Sequence, residues 1–193
     1  MAAQFLRVDN LACERGGRRV FEHVGFALET GGALQVEGAN GAGKSSLLRL
    51  LAGLLDPSGG TIDNPFAVAW VGHEVTLKPG MTLIAELRHW ARLDRRSAAD
   101  VDAALARFDL TALRELPCSV LSSGQRRRAA LARASLSGAP LWLLDEPSVG
   151  LDAASRARLA TTLADHRAGG GLVVAVTHEP LGLDAPQRLR LGA

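Results

Sequence analysis

One octapeptide constrains this chain more than any other stretch: Gly38-Ala39-Asn40-Gly41-Ala42-Gly43-Lys44-Ser45. It fits the phosphate-cradling pattern G-x-x-x-x-G-K-[ST], and its flanks fit as well. Residues 33–37 read as a short apolar strand, and residues 46–53 read as a helix closed by Gly53. Phosphate binding needs this order of strand, glycine-rich turn and helix. The glycines let the backbone curl around an anion without Cβ clashes. Amides at the helix start, at the positive end of its dipole, then face the anion. Gly38 through Ser46 therefore read as a nucleotide cradle in which Lys44 neutralises the β- and γ-phosphates and the Ser45 hydroxyl holds Mg²⁺. A glycine-rich turn with a chance lysine would not bring a matching strand and helix with it.

A second apolar run, Leu141-Trp142-Leu143-Leu144, ends in Asp145 and Glu146. A buried parallel strand delivers its last residues to the ligand crevice of an open α/β sheet. Asp145 there reaches the Mg²⁺ held by Ser45, and Glu146 is placed to polarise a water for attack on the γ-phosphate.

Around these stations the chain reads as an α/β protein. Residues 5–14 and 20–28 are strands separated by Gly16-Gly17, with Val24, Phe26 and Leu28 on one face, and they form a small antiparallel sheet ahead of the core. Residues 56–60 are a turn cluster and 67–71 a short buried strand. Thr82 caps a helix with Leu83, Ile84 and Leu87 at helical spacing, residues 97–108 form another, and residues 110–116 a short third. A helix follows Gly124, another spans 153–166, a strand spans 172–176, and residues 188–191 add an edge strand.

Composition excludes several classes. A net charge of +2 does not mark a nucleic-acid binder, and with no tyrosine and 4% aromatic residues there is no stacking platform for single strands. Cys13 and Cys118 stand far apart without a Cys-x-x-Cys or Cys/His cluster, which argues against a disulfide framework or zinc site. No apolar run approaches the roughly 20 residues needed to cross a bilayer, and the first residues lack the pattern of a secretion signal. A soluble cytoplasmic protein that docks on something else is expected.

Between the two chemical stations lies Leu121-Ser122-Ser123-Gly124-Gln125. Here the chain resembles the ATP-binding-cassette family, whose signature is Leu-Ser-Gly-Gly-Gln just before the magnesium-binding strand. Ser123 replaces the first glycine, small for small. Physically the segment is a second anion site at a helix start, with a serine hydroxyl and backbone amides. The resemblance implies that Ser122 and Gly124 meet the γ-phosphate bound on a second cassette subunit, giving a head-to-tail homodimer with ATP sandwiched between its members. Pro147-Ser148-Val149-Gly150-Leu151-Asp152 resembles the family's dimer-contact loop, and Val174-Ala175-Val176-Thr177-His178 its switch-histidine strand, with His178 near the γ-phosphate.

The fold so implied is a P-loop NTPase core of the ABC type with an N-terminal antiparallel β subdomain and a small inserted helical lobe. One nucleotide-binding domain would span 1–193, with 1–79 and 121–193 as core and 80–120 as the lobe. Two positions depart from the general cassette. Arg15, ahead of Gly16, stands where many members stack an aromatic ring on adenine, and its guanidinium can still stack on a base. His73 stands where many carry glutamine, and three roles are open to it: reporting on Mg²⁺, reporting on a transmembrane partner, or shaping the loop.

Residues 13–15, 36–41, 70–73 and 121–128 together narrow the resemblance to the cytochrome c maturation ATPases. That resemblance implies integral-membrane permease partners, a peripheral place on the cytoplasmic face of the bacterial inner membrane, and ATP hydrolysis that drives release of a haem-loaded chaperone. The cysteines offer no haem-attachment pattern, so no direct contact with haem is expected. Arg126-Arg127-Arg128 raises nucleic acid or anionic lipid as partners, but as the opening of the signature helix they read better as facing nucleotide or partner subunit. Three rivals remain at this stage. One is a transporter ATPase of other cargo. The second is a non-transport cassette, which would usually carry two cassettes or a coiled-coil insertion. The third is a phosphate-loop kinase or GTPase, which would have no use for residues 121–125.

Overall fold

The computed structural model describes residues 4–192. In chain order the elements run β1 (Phe5–Arg15), β2 (Arg18–Glu29), β3 (Ala33–Gly38), α1 (Lys44–Leu51), β4 (Gly59–Asp63), β5 (Val68–Val71), α2 (Leu83–Leu93), α3 (Ala98–Arg107), α4 (Ser123–Ser137), β6 (Leu141–Asp145), α5 (Ala153–Ala168), β7 (Leu172–Val176) and β8 (Gln187–Leu191). They build two sheets. β2, β1 and β4 form a three-stranded antiparallel sheet in that order, and β5, β6, β7, β3 and β8 a five-stranded parallel one.

The parallel sheet is apolar on both faces because helices and the antiparallel sheet cover it. Side chains alternate across a strand, so β6 divides its residues between two cores. Leu141 and Leu143 pack with Leu47, Leu48, Leu50 and Leu51 of α1 and with Leu6, Val8 and Leu11 of β1. Trp142 and Leu144 pack on the other face with residues of α2, α3, α4 and α5. Helix α1 thus lies between the sheets, and the segment preceding it is clamped from both sides. Leu143 is fully buried, so Leu143→Ala is expected to cost about 2–5 kcal/mol of unfolding free energy. Leu54→Ala, at a position 68% exposed, should stay within about 0.5 kcal/mol on the same urea titration.

The helical segment forms as its caps predict. The Thr82 hydroxyl accepts from the Ala85 amide at 3.3 Å, and Ser97 and Asp100 make a reciprocal capping box on α3. Leu83, Ile84, Leu87, Val101, Leu105 and Phe108 face one core with Leu131 of α4. The short helix expected at 110–116 is a single 3₁₀ turn, Thr111–Leu113.

Two expectations shift at their edges. Helix α1 begins at Lys44, two residues earlier than expected, so the lysine and Ser45 belong to its first turn. The turn cluster at 56–60 runs directly into β4, which sequence reading missed. Only Ile62 and Gly59 of β4 are even half-buried. The strand exists because its backbone pairs with β1, Val8 opposite Ile62, and not because of its own apolar alternation.

Candidate active site

Parallel pairing sets the site. β7 lies between β3 and β6, with Val36 opposite Val176 and Asp145 opposite Val176. The carboxyl ends of three strands therefore emerge side by side, each carrying one station: the glycine-rich loop after β3, Asp145-Glu146 at the end of β6, and Thr177-His178 after β7. They share a cavity of about 610 Å³. Asn40, Gly41, Gly43, Lys44, Ser45 and Ser46 line one side of it, and Asp145, Glu146 and His178 the other.

The loop is held in one shape by its own backbone and by the antiparallel sheet. Gly43 is the N-cap of α1 with φ +95°, and no side chain caps the helix. A Cβ on Gly43 would stand 2.5 Å from Val20 Cγ1 and 2.8 Å from the Phe21 ring, so glycine is required both for its dihedral and for its space. The Lys44 ammonium donates to the carbonyl oxygens of Gly38 at 2.6 Å and Ala39 at 3.0 Å, folding the charge back over the loop. The Ala42 amide donates to Ala39 O at 3.2 Å.

The carboxylates differ. Asp145 is 4% exposed, and its Oδ2 accepts from the Ser45 hydroxyl at 2.8 Å. These are two hard oxygen donors on facing elements, the kind of ligand Mg²⁺ prefers. Glu146 follows with φ +49°, which turns its side chain out of the strand into the cavity, while its amide still donates to Val176 O at 2.9 Å. His178 Nε2 lies 3.6 Å from Glu146 Oε1. Thr177, buried, bonds both ways with the backbone of Glu179 and fixes the turn that presents the histidine.

The signature segment lies elsewhere. Ser122 caps α4, its hydroxyl accepting from the Gln125 amide at 3.2 Å while Gln125 Oε1 accepts from the Ser122 amide at 2.8 Å. Neither Ser122 nor Gly124 lines the cavity. Gly124 instead packs on the loop after β6: a Cβ there would stand 2.6 Å from Gly150 O. Asp152, at the end of that loop, caps α5 by accepting from the Ser155 amide at 2.7 Å. That hydrogen bond holds its carboxyl below the usual range, with smaller help from Arg128 and Arg156.

Arg15 is not brought to the cavity. It is exposed near the tip of the β1–β2 hairpin, opposite Arg18, and Val20 is the residue of β2 that reaches the lining. His73, Val149 and Glu179 also line it. Sequence reading gave no site role to Val20 or Glu179, which carry no motif and are placed by strand register and by the turn after β7. Of the three arginines, Arg126 donates to Leu121 O, and Arg128 to Phe108 O and Asp109 O. Arg127 is 5% exposed and donates to the carbonyls of Gly72 at 2.7 Å and His73 at 2.5 Å. Burial pulls its pKa down from the usual arginine value, and the charges of Asp145 and Glu146 oppose that pull. Nothing in a run of three arginines distinguishes the buried one.

Comparison with known proteins agrees with this geometry. The family model described as ABC transporter matches residues 21–149. A cytochrome c biogenesis ATP-binding export protein CcmA from Mesorhizobium japonicum is 46% identical over 197 residues, covering 97% of this chain and 98% of that protein. The protein of the same name from Gluconobacter oxydans is 49% identical over 181 residues, covering 94% and 84%. Among solved structures, an ATP-binding subunit of an ABC transporter superposes with a TM-score of 0.88 at 25% identity, covering 97% of this chain and 86% of that one. A metal-chelate type ABC transporter in an inward-facing conformation gives 0.82 at 29% identity, covering 99% and 80%. An ATPase by site geometry and by descent, the chain belongs to the ABC transporter family, in the branch that contains the cytochrome c biogenesis ATP-binding export proteins.

Proposed function

We propose that this chain is the ATP-hydrolysing subunit of a membrane ABC complex that serves cytochrome c maturation, working as a homodimer on the cytoplasmic face of the bacterial inner membrane. The carrying observation is the convergence of Lys44, Ser45, Asp145, Glu146 and His178 on one cavity in a chain 46% identical to a CcmA protein over nearly its full length. Among the described residues no helix is long and apolar enough to cross a membrane, so the membrane part of the complex falls to permease partners.

The reaction is phosphoryl transfer from ATP to water. Gly38 through Ser46 wrap the phosphates, and the Lys44 ammonium leaves the loop carbonyls to neutralise them. Ser45 and Asp145 would hold Mg²⁺, which supplies charge neutralisation on the phosphate oxygens. The Glu146 carboxylate accepts the proton of the attacking water, and His178, 3.6 Å away, positions the γ-phosphate. Ser122 and Gly124 face away from this cavity and complete the partner's site. Arg15, exposed at the end of β1, remains the candidate to stack its guanidinium on the base. The domain reading is a single cassette over 1–193, with 1–79 and 121–193 as the α/β core and 80–120 as a helical lobe. This reading gives the chain no part in binding haem or nucleic acid; Cys13 and Cys118 are both buried, and the arginines after the signature donate to backbone carbonyls.

The test is haem staining of covalent c-type cytochromes in cells lacking this chain. Wild type is expected to restore the stained bands and Lys44→Ala to leave them absent, because Lys44 carries the main positive charge in the cradle. Bands that persist without the chain and without a second copy would overturn the cytochrome assignment and leave an ABC ATPase of other cargo.

A further inference from the structure

Arg127 has a place in the fold that its neighbours Arg126 and Arg128 lack. It sits two residues after Gln125 in the helix that presents Ser122 and Gly124, yet its guanidinium reaches under the sheet to a different station. Nη1 donates to Gly72 O and Nη2 to His73 O, two consecutive carbonyls of the loop after β5. Those bonds pin the one lining residue that comes from that loop, His73, in the cavity that also holds Lys44 and Glu146. The group is almost fully buried, and Asp145 and Glu146 lie close enough to act on it electrostatically. A buried guanidinium is costly unless its donors are met. Here two of them are met by backbone carbonyls just beyond β5, whose Ala69 and Val71 share a core with α4.

We propose that Arg127 is a positioning residue that ties the helix facing the partner's nucleotide to the loop facing the chain's own. This rests on the dimeric ATPase reading above and adds to it a rigid connection within one subunit. When the signature end of α4 moves against a partner, the fork carries the displacement to the His73 loop. Two parallel donors at a fixed spacing transmit both position and orientation. A lysine, with one ammonium on a flexible stem, cannot bridge two carbonyls in that way.

The test uses the full-length chain as wild type, Arg127→Lys and Arg127→Met. Thermal unfolding establishes that each variant is folded, and Arg127→Lys, which keeps the charge, serves if Arg127→Met is not. Amide hydrogen exchange of the segment 72–75 and steady-state ATP hydrolysis are then measured on the same samples. The expected result is faster exchange in that segment with kcat lowered about 10- to 100-fold and KM for MgATP changed less than about threefold. Arg127→Lys should fall between wild type and Arg127→Met in both. Normal kcat with faster exchange overturns the proposal, because the tether then has no catalytic consequence. Lowered kcat with unchanged exchange also overturns it, because the loss does not pass through the His73 loop. A Glu146→Gln chain that stays monomeric on size-exclusion chromatography with MgATP speaks against the dimeric reading, while the exchange and kcat of the Arg127 variants still decide the tether.

Discussion

Glu146→Gln is expected to bind ATP as the wild type does and to hydrolyse it about 10²- to 10⁴-fold more slowly, holding two chains closed on their nucleotides. The loss corresponds to about 3–5 kcal/mol of barrier. The substitution keeps the size of the side chain and removes only its ability to take a proton. Glu146 suits the role by position: its φ of +49° swings the side chain out of the strand, 86% buried but bordering the cavity, beside His178. Asp145, one residue earlier, lines the same cavity but accepts from the Ser45 hydroxyl and is committed there. Single-turnover hydrolysis and size-exclusion chromatography with MgATP read both halves of the expectation. Full turnover in this variant removes Glu146 as the base, and slow turnover without a stable dimer removes the sandwich.

Pairing Lys44→Ala with Gly124→Ala in mixed dimers should give opposite results depending on which chain carries which lesion. Lys44 lines the chain's own cavity; Gly124 does not. If Gly124 completes the partner's site, both lesions on one chain disable both sites of the pair. One lesion on each chain then concentrates the damage in a single site and leaves the other intact. The Gly124 lesion is severe for a local reason: its Cβ would stand 2.6 Å from Gly150 O, and a backbone carbonyl cannot move aside as a side-chain tip can. Differently tagged chains, co-purified and loaded with ATP, are expected to retain about one occluded nucleotide per pair in the second arrangement and none in the first. The reverse, one occluded nucleotide when both lesions share a chain and none when they are divided, would mean that each chain holds a complete site of its own.

Much of this was legible in the sequence because it is carried by short contiguous stretches with a physical reason for each residue. The glycine pattern before Lys44 specifies a backbone path. The apolar run 141–144 specifies a strand buried on both faces, and its terminal carboxylates follow it to the crevice. Thr82, Ser97 and Ser122 each announce a helix start, and each caps one. β4 was not legible, because an edge strand held by pairing to β1 needs no pattern of its own. Nor was Val20, whose place in the cavity comes from how β2 packs on the turn before α1.

The sequence by itself marked the candidates, a glycine-rich cradle with Lys44 and Ser45, the carboxylates Asp145 and Glu146, and His178, and it identified the family to which the order of these motifs belongs. Only the tertiary structure decided which of them meet. Placing β7 between β3 and β6 brings residues about 100 positions apart to a 2.8 Å hydrogen bond between Ser45 and Asp145, and no local pattern encodes a strand order. It also separated like from like. Arg126, Arg127 and Arg128 are identical in sequence terms, but successive residues of a helix point about 100° apart. One of the three is therefore turned inward to the His73 loop while its neighbours serve the surface of the same helix.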